Sequence, residues 1–291
     1  MRRRAAVIVL AVLALLATGC DVRFLAIPGD GPTRYRDEVF GDVTVTSNIT
    51  YGTAVDQLGN TVTLRLDLYE PTGDTVDTRP AIVWVHGGSF RSGSKTSGEI
   101  VDQARTFAEK GYVSVAISYR LHPTGCTVID VSCLVAISQA KYDAQASVRW
   151  LRANAATYGI DTDRIAMGGS SAGAITALNV AYGAADTEAG GSNPGELSTI
   201  HAAVSLSGAK LLNEPDPGEP AALLFHGTAD TVVPYAWAEA TVDAAVAAGT
   251  HVELTAWDGA GHVPYSAHRT EIIDQTTNFL YHSMAVALAA S

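Results

Sequence analysis

The pattern of apolar and polar positions changes period once along this chain. Residues 43–51 (VTVTSNITY) and 61–69 (TVTLRLDLY) alternate with period two and are rich in β-branched side chains, and Gly59-Asn60 falls in the break between them. A strand with one face on a core and the other in water reads this way, so the pair predicts an antiparallel hairpin. From Ala81 onward the alternation gives way to short continuous apolar runs at 81–85 (AIVWV), 113–117, 165–167, 202–206, 221–225 and 252–256. Strands covered on both faces require such runs. Helical stretches lie between most of them, at about 98–110, 138–158, 171–182 and 235–248, and Gly111 and Gly249 stand where helix-ending glycines belong. The predicted class is α/β: a mostly parallel central sheet with a leading antiparallel hairpin and helices on both faces. Crossovers in such a sheet are right-handed, and chemistry collects in the loops that leave the carboxyl ends of its parallel strands.

Composition sets the scale of this picture. A chain of 291 residues, 47% of them hydrophobic, can bury one large core, and no internal repeat or long linker divides it. Its beginning stands apart. Arg2, Arg3 and Arg4 precede the apolar run 5–16, and Ala17-Thr-Gly-Cys20 closes it. The run is too short to span a bilayer and reads as a secretory signal. Its end resembles a bacterial lipobox with lipidation at Cys20, although Ala17 stands where leucine is usual. The expected organisation is a signal peptide at 1–19, a Pro/Gly-containing tether at 20–40 and a catalytic domain at 41–291. Export is therefore expected, with the protein lipid-anchored at the cell envelope, or otherwise fully secreted. The paired arginines leave twin-arginine export as an alternative route.

Charge narrows the partners. Losing three arginines and no acids with residues 1–19 takes the formal net charge from −11 to −14. Such an acidic chain disfavours nucleic acid and anionic membrane surfaces, so the membrane enters only through the lipid. With Cys20 lipidated, Cys126 and Cys133 remain as a pair in an oxidising compartment, which suggests a disulfide; two unpaired buried thiols are the alternative. A metal site is not expected, because no histidine or second cysteine pair lies nearby at ligand spacing.

Four loops carry the candidate chemistry. The apolar run ending at Met167 leads through Gly169-Ser170-Ser171-Ala172-Gly173 into an Ala/Leu-rich helical stretch. This is G-x-S-x-G in the strand–turn–helix setting that gives the motif meaning, and only Ser171 has glycine at both −2 and +2. A Cβ at either glycine would collide with the neighbouring strand or helix. His86-Gly-Gly-Ser-Phe90 follows the run 81–85, His226-Gly-Thr-Ala-Asp230 follows 221–225, and Gly259-Ala-Gly-His262 follows 252–256. A serine hydroxyl needs an adjacent base to act as a nucleophile. Of the eight histidines, four follow Asp230: His251, His262, His268 and His282. Among them, His262 sits in a small-residue loop after the last strand, where an imidazole can reach back to Ser171. Asp230 would orient it. Asp258, in the same loop as the base, and Asp216, in a Pro-rich turn, are weaker candidates for the acid.

From residue 43 to the C-terminus the chain resembles the α/β-hydrolases of the carboxylesterase and lipase type. His86-Gly-Gly is similar to the HGG oxyanion loop of hormone-sensitive-lipase-like esterases. The segment 226–235 (HGTADTVVPY) is closer to the dienelactone-hydrolase, feruloyl/acetyl-esterase and prolyl-oligopeptidase-related branches. The resemblance implies a catalytic Ser171, Asp230 and His262, oxyanion donors at the N–H groups of Gly88, Ser89 and Ala172, and no cofactor or metal. His86 and His226 would bond the backbone of their own loops. No large cap domain is expected, which leaves 120–137 and 184–219 to shape a pocket for a small or oligomeric ester. Trp84, Phe90, Tyr119, Trp237 and Tyr265 are its candidate aromatic lining. The expected activity is that of a serine carboxylesterase on short- to medium-chain esters. Alternatives are a carbohydrate acetyl or feruloyl esterase, a polyester depolymerase, or a non-catalytic binding protein of the same fold.

Overall fold

The structure is a computed structural model and describes residues 31–183 and 191–285. The expected signal peptide, Cys20 and the first part of the expected tether lie outside the described residues. Among the described residues a single sheet of eight strands organises the domain: β1 (Val43–Val55), β2 (Thr61–Pro71), β3 (Arg79–Val85), β4 (Val113–Ser118), β5 (Ile160–Ser170), β6 (Ala202–Leu206), β7 (Ala221–Gly227) and β8 (Val252–Trp257). Their order is β1-β2-β4-β3-β5-β6-β7-β8. β1 and β2 form the antiparallel hairpin, β2 pairs antiparallel with β4, and the remaining pairs are parallel.

The continuous apolar run of β3 is explained by its place between two layers. Ala81, Val83 and Val85 pack on one face with α2 (Val131–Ala153) and α4 (Ala172–Ala181). Ile82 and Trp84 pack on the other with α1 (Gly98–Glu109) and α6 (Tyr265–Ser283). All five are fully buried. Each large apolar side chain removed from water in this way contributes about 1.5–3 kcal/mol. Among the described residues the remaining helices are the short α3 (Ala155–Tyr158) and α5 (Tyr235–Ala247). The chain leaves β3 for β4 through α1 on one face and reaches β5 through α2 on the other. Adjacent crossovers on opposite faces open a crevice at the carboxyl ends of β3 and β5.

Two expected boundaries move. α2 begins at Val131 rather than near residue 138, because Asp130 caps it: its Oδ1 accepts the N–H of Cys133 at 2.9 Å. Cys133 therefore lies in the first helical turn, and the connection from β4 is shorter than the sequence suggests. The end of the expected tether is also docked on the domain. Tyr35 is buried edge-on against Tyr112 at 5.1 Å, its N–H donates to the Lys110 carbonyl at 2.8 Å, and Arg34 Nη1 donates to Asp74 Oδ1 at 2.9 Å. The domain starts before residue 41.

Candidate active site

The turn from β5 into α4 holds Ser171 at φ 53° and ψ −118°, a left-handed conformation costly for a residue with a side chain. Its surroundings impose it. A Cβ on Gly169 would lie 2.5 Å from the Val85 carbonyl oxygen, and one on Gly173 would overlap that same oxygen. Both motif glycines are thus required by one carbonyl at the end of β3, while Ser171 N–H donates to Leu206 O at 2.8 Å. The serine is presented at the crevice with its neighbours locked beneath it.

The other loops converge on it. His262 Nε2 lies 2.8 Å from Ser171 Oγ, and His262 Nδ1 lies 2.7 Å from Asp230 Oδ2. With Nδ1–H donating to the carboxylate, the Nε2 lone pair is free to accept the serine proton, the tautomer a general base needs. The Asp230 side chain is fully buried, and its Oδ1 accepts the N–H groups of Val232 and Val233 at 2.8 and 3.0 Å. The loops that contain Asp230 and His262 lean on each other, since Ala229 N–H donates to Ala260 O at 2.9 Å and a Cβ on Gly227 would overlap that oxygen. Val263 N–H donates to Ser207 Oγ at 3.0 Å and fixes the chain just past His262.

The rival residues lie elsewhere. His251 Nε2 meets Glu253 Oε1 at 2.9 Å, His268 stacks on Trp257 at 4.0 Å, and Asp258 Oδ1 accepts from Thr228 Oγ1 at 3.2 Å. His86 and His226 serve their own loops. His86 Nδ1–H donates to Gly87 O at 2.6 Å and His226 Nε2–H to Val233 O at 2.8 Å. Burial pushes both imidazoles below their usual pKa, which keeps them neutral donors.

The loop after β3 lies against Ser171. A Cβ on Gly87 would sit 3.2 Å from that of Ser171, so the loop approaches as only glycine allows. Gly88 has φ 112°, Ser89 φ 53° and Phe90 φ 60°. Among the described residues no backbone acceptor outside the regular elements takes the N–H of Gly88, Ser89 or Ala172. Unpaired donors around a nucleophile can meet charge that develops on a bound substrate. Two hollows join at Ser89 and Ser171. One is a cavity of about 240 Å³ with largely apolar walls from Phe90, Val128, Ile129, Ile175 and Trp237. The other, about 430 Å³, is an open cleft that includes His262, Ser92, Ser97, Ser170 and Glu99.

Comparison with known proteins identifies the family. The family model described as BD-FAE matches residues 66–213, about half of the chain, and one described as TAP-like protein matches 205–284. The chain belongs to the BD-FAE family. It is an α/β-hydrolase serine esterase, a carboxylic ester hydrolase. The structure of Thermogutta terrifontis esterase 2 phosphorylated by paraoxon superposes with TM-score 0.67 at 26% identity, covering 83% of this chain and 94% of that one. The butyrate-bound form of the same esterase gives TM-score 0.66 at 26% identity, covering 78% and 92%. The isoprenylcysteine alpha-carbonyl methylesterase of Arabidopsis thaliana is 27% identical over 92% of this chain and 68% of its own length. Lipase 1 of Geotrichum candidum is 31% identical over 51% of this chain but only 26% of that longer protein.

Within this BD-FAE chain the expected aromatic lining is largely corrected. Phe90 and Trp237 line the cavity. Trp84 instead packs on Phe107 at 5.3 Å on the far side of the sheet, because its place in β3 points it away from the site. Tyr119 stacks on His86 at 4.3 Å beneath the loop, and its hydroxyl donates to His86 O at 3.1 Å. Tyr265 donates to Asp102 Oδ2 at 2.6 Å beyond the open cleft. Sequence reasoning missed Val232 and Val233, two and three residues past Asp230, as cavity wall. It also missed Glu99, whose Oε1 accepts from Ser170 Oγ at 3.0 Å. Glu99 lies in no motif and reaches the site only through the fold, whereas Val232 and Val233 lie within the segment 226–235 and read there only as part of the acid motif.

Proposed function

We propose that this chain is a serine carboxylesterase for short- to medium-chain esters, working through an acyl-enzyme on Ser171. The hydrogen-bonded chain Ser171–His262–Asp230 at the junction of an apolar cavity and an open cleft carries this reading. Ser171 Oγ attacks the ester carbonyl while His262 Nε2 takes its proton and Asp230 balances the resulting imidazolium. The carbonyl oxygen, now an oxyanion, is met by the N–H groups of Gly88, Ser89 and Ala172. The acyl group occupies the apolar cavity and the alcohol faces the cleft that contains His262, from which it receives the proton as it leaves. Water then repeats the sequence on the acyl-enzyme and regenerates Ser171. Acyl chains of modest length suit the small cavity, and the solved relative's butyrate- and propionate-bound structures support this range.

The test is a panel of p-nitrophenyl esters of graded acyl length, assayed on protein lacking residues 1–19. The expected result is a kcat/KM maximum between propionate and hexanoate and a marked fall by dodecanoate. A rate that rises steadily to the longest chain would contradict the bounded cavity. A second reading, as a carbohydrate acetyl or feruloyl esterase, is favoured by the hydroxyl-lined cleft of Ser92, Ser97 and Ser170. Acetylated and feruloylated sugars in the same panel separate the two, since a higher kcat/KM on them than on the aryl esters selects this second reading.

Export and lipid anchoring are part of the same proposal, supported by Ala17-Thr-Gly-Cys20 behind an arginine-led apolar run. Wild type is expected to pellet with membranes and to take up a fatty-acid analogue, whereas Cys20→Ser is expected to do neither. Wild type that stays unlabelled would leave simple secretion.

A further inference from the structure

The connection from β4 to α2 crosses over the loop after β3 and grips it at two residues in left-handed backbone. His122 N–H donates to the Phe90 carbonyl at 2.7 Å, and Cys126 N–H donates to the Ser89 carbonyl at 2.9 Å. Gly125, at φ 59°, packs so closely on that Ser89 oxygen that a Cβ would overlap it. Ser89 and Phe90 have φ 53° and 60°, conformations that persist for such residues only where neighbours over-determine them. These hydrogen bonds are part of that constraint.

The strap is in turn held at both ends. Arg120, where it leaves β4, is buried and forms a two-pronged ion pair with Asp143 of α2, Nη2–Oδ1 2.9 Å and Nε–Oδ2 3.0 Å. At the far end the Cys126–Cys133 disulfide ties the strap to the first turn of α2, which Asp130 caps. Cys126 is therefore both the residue that donates to Ser89 and the residue the cross-link anchors. Without the bond, Cys126 loses its covalent tie to α2, and the segment 121–132 is left to its flanking elements, its two backbone hydrogen bonds to the loop after β3 and turn contacts such as Thr124 Oγ1 to Ser132 Oγ at 2.7 Å.

We propose that the Cys126–Cys133 disulfide is a positioning element for the oxyanion donors. It fixes the Cys126 and His122 N–H groups against Ser89 and Phe90, and thereby sets the direction in which Gly88 and Ser89 present their own N–H groups at Ser171. This rests on the catalytic reading given above. It differs from the wall role of the same strap, whose Val128 and Ile129 line the apolar cavity. A wall acts on longer acyl chains and shows in KM. Donor placement acts on the oxyanion, which every ester forms, and shows in kcat even for acetate. Tyr119, whose hydroxyl donates to His86 O at 3.1 Å, still supports the loop from below, so losing the bond weakens the donors without abolishing them.

The double variant Cys126→Ser/Cys133→Ser is compared with wild type on p-nitrophenyl acetate and hexanoate, together with thermal melting. Removing one donor outright typically costs about 10²–10³-fold in kcat, and here kcat is expected to fall about 10- to 100-fold on both esters with acetate KM nearly unchanged. If the variant does not fold, the same measurement is made on folded wild type reduced by a phosphine until mass spectrometry finds two alkylatable thiols, then reoxidised. Its kcat should fall and return. Acetate kcat within twofold of wild type in the folded variant, or in the reduced protein, overturns the proposal; a hexanoate KM that alone changed would reduce the strap to a wall. Wild type that neither turns over acetate nor is inactivated by paraoxon would instead bring down the catalytic reading itself.

Discussion

Ser171→Ala and His262→Ala are each expected to lower kcat by about five to six orders of magnitude, because nucleophile and base act as one unit and removing either disables both. The geometry is specific about this. His262 Nε2 stands 2.8 Å from Ser171 Oγ, and the next histidines in the chain are occupied elsewhere, His251 by Glu253 and His268 by stacking on Trp257. Turnover of p-nitrophenyl butyrate with each variant is the measurement, with Ser171 labelling by a fluorophosphonate as its companion. Ser170 is the internal control, since its hydroxyl donates to Glu99 and it lacks the glycine frame. Labelling at Ser170, or a His268→Ala variant as damaged as His262→Ala, would overturn the assignment.

Asp230→Asn is the second large effect, about four orders of magnitude in kcat at neutral pH. Asp230 Oδ1 accepts two backbone N–H groups, from Val232 and Val233, while Oδ2 accepts His262 Nδ1–H. An amide has one oxygen for these two faces. With that oxygen kept on Val232 and Val233, its NH₂ group points at His262 Nδ1 and forces the proton to Nε2. The imidazole then has no lone pair for Ser171 Oγ. With the amide flipped, two buried N–H groups face a donor, which costs about 1–3 kcal/mol for each partner lost. Asp258→Asn, which disturbs only the Thr228 contact, should stay within a few-fold of wild type in the same butyrate assay. A loss under tenfold for Asp230→Asn, or equal losses for both variants, would remove Asp230 from the orienting role.

Much of this architecture was legible in the amino acids. Period-two alternation in residues 43–51 and 61–69 marked the hairpin, and continuous apolar runs marked the parallel strands, because the period of burial is fixed by how many faces of a strand are covered. The pairing of Cys126 with Cys133 was suggested by elimination and is present. Boundaries were less legible. The start of α2 depended on a cap at Asp130 followed by Val131-Ser-Cys-Leu-Val, a composition that serves a loop or strand as readily as a helix until it is packed.

What the sequence by itself determined is the kind and order of the loops at the carboxyl edge, including the glycines that flank Ser171. The glycines are written in the stretch itself, although the carbonyl they make room for, Val85 O, belongs to β3 and is brought there by the sheet. What only the tertiary structure decided is which side chains share that edge. In a run where every residue is apolar, nothing in the composition says that Trp84 faces α1 while Val83 and Val85 face the side of α2. Glu99 and the strap that grips Ser89 and Phe90 come to the site through long-range packing. Such packing depends on strand order and helix placement, and these are properties of the whole chain that no single stretch encodes.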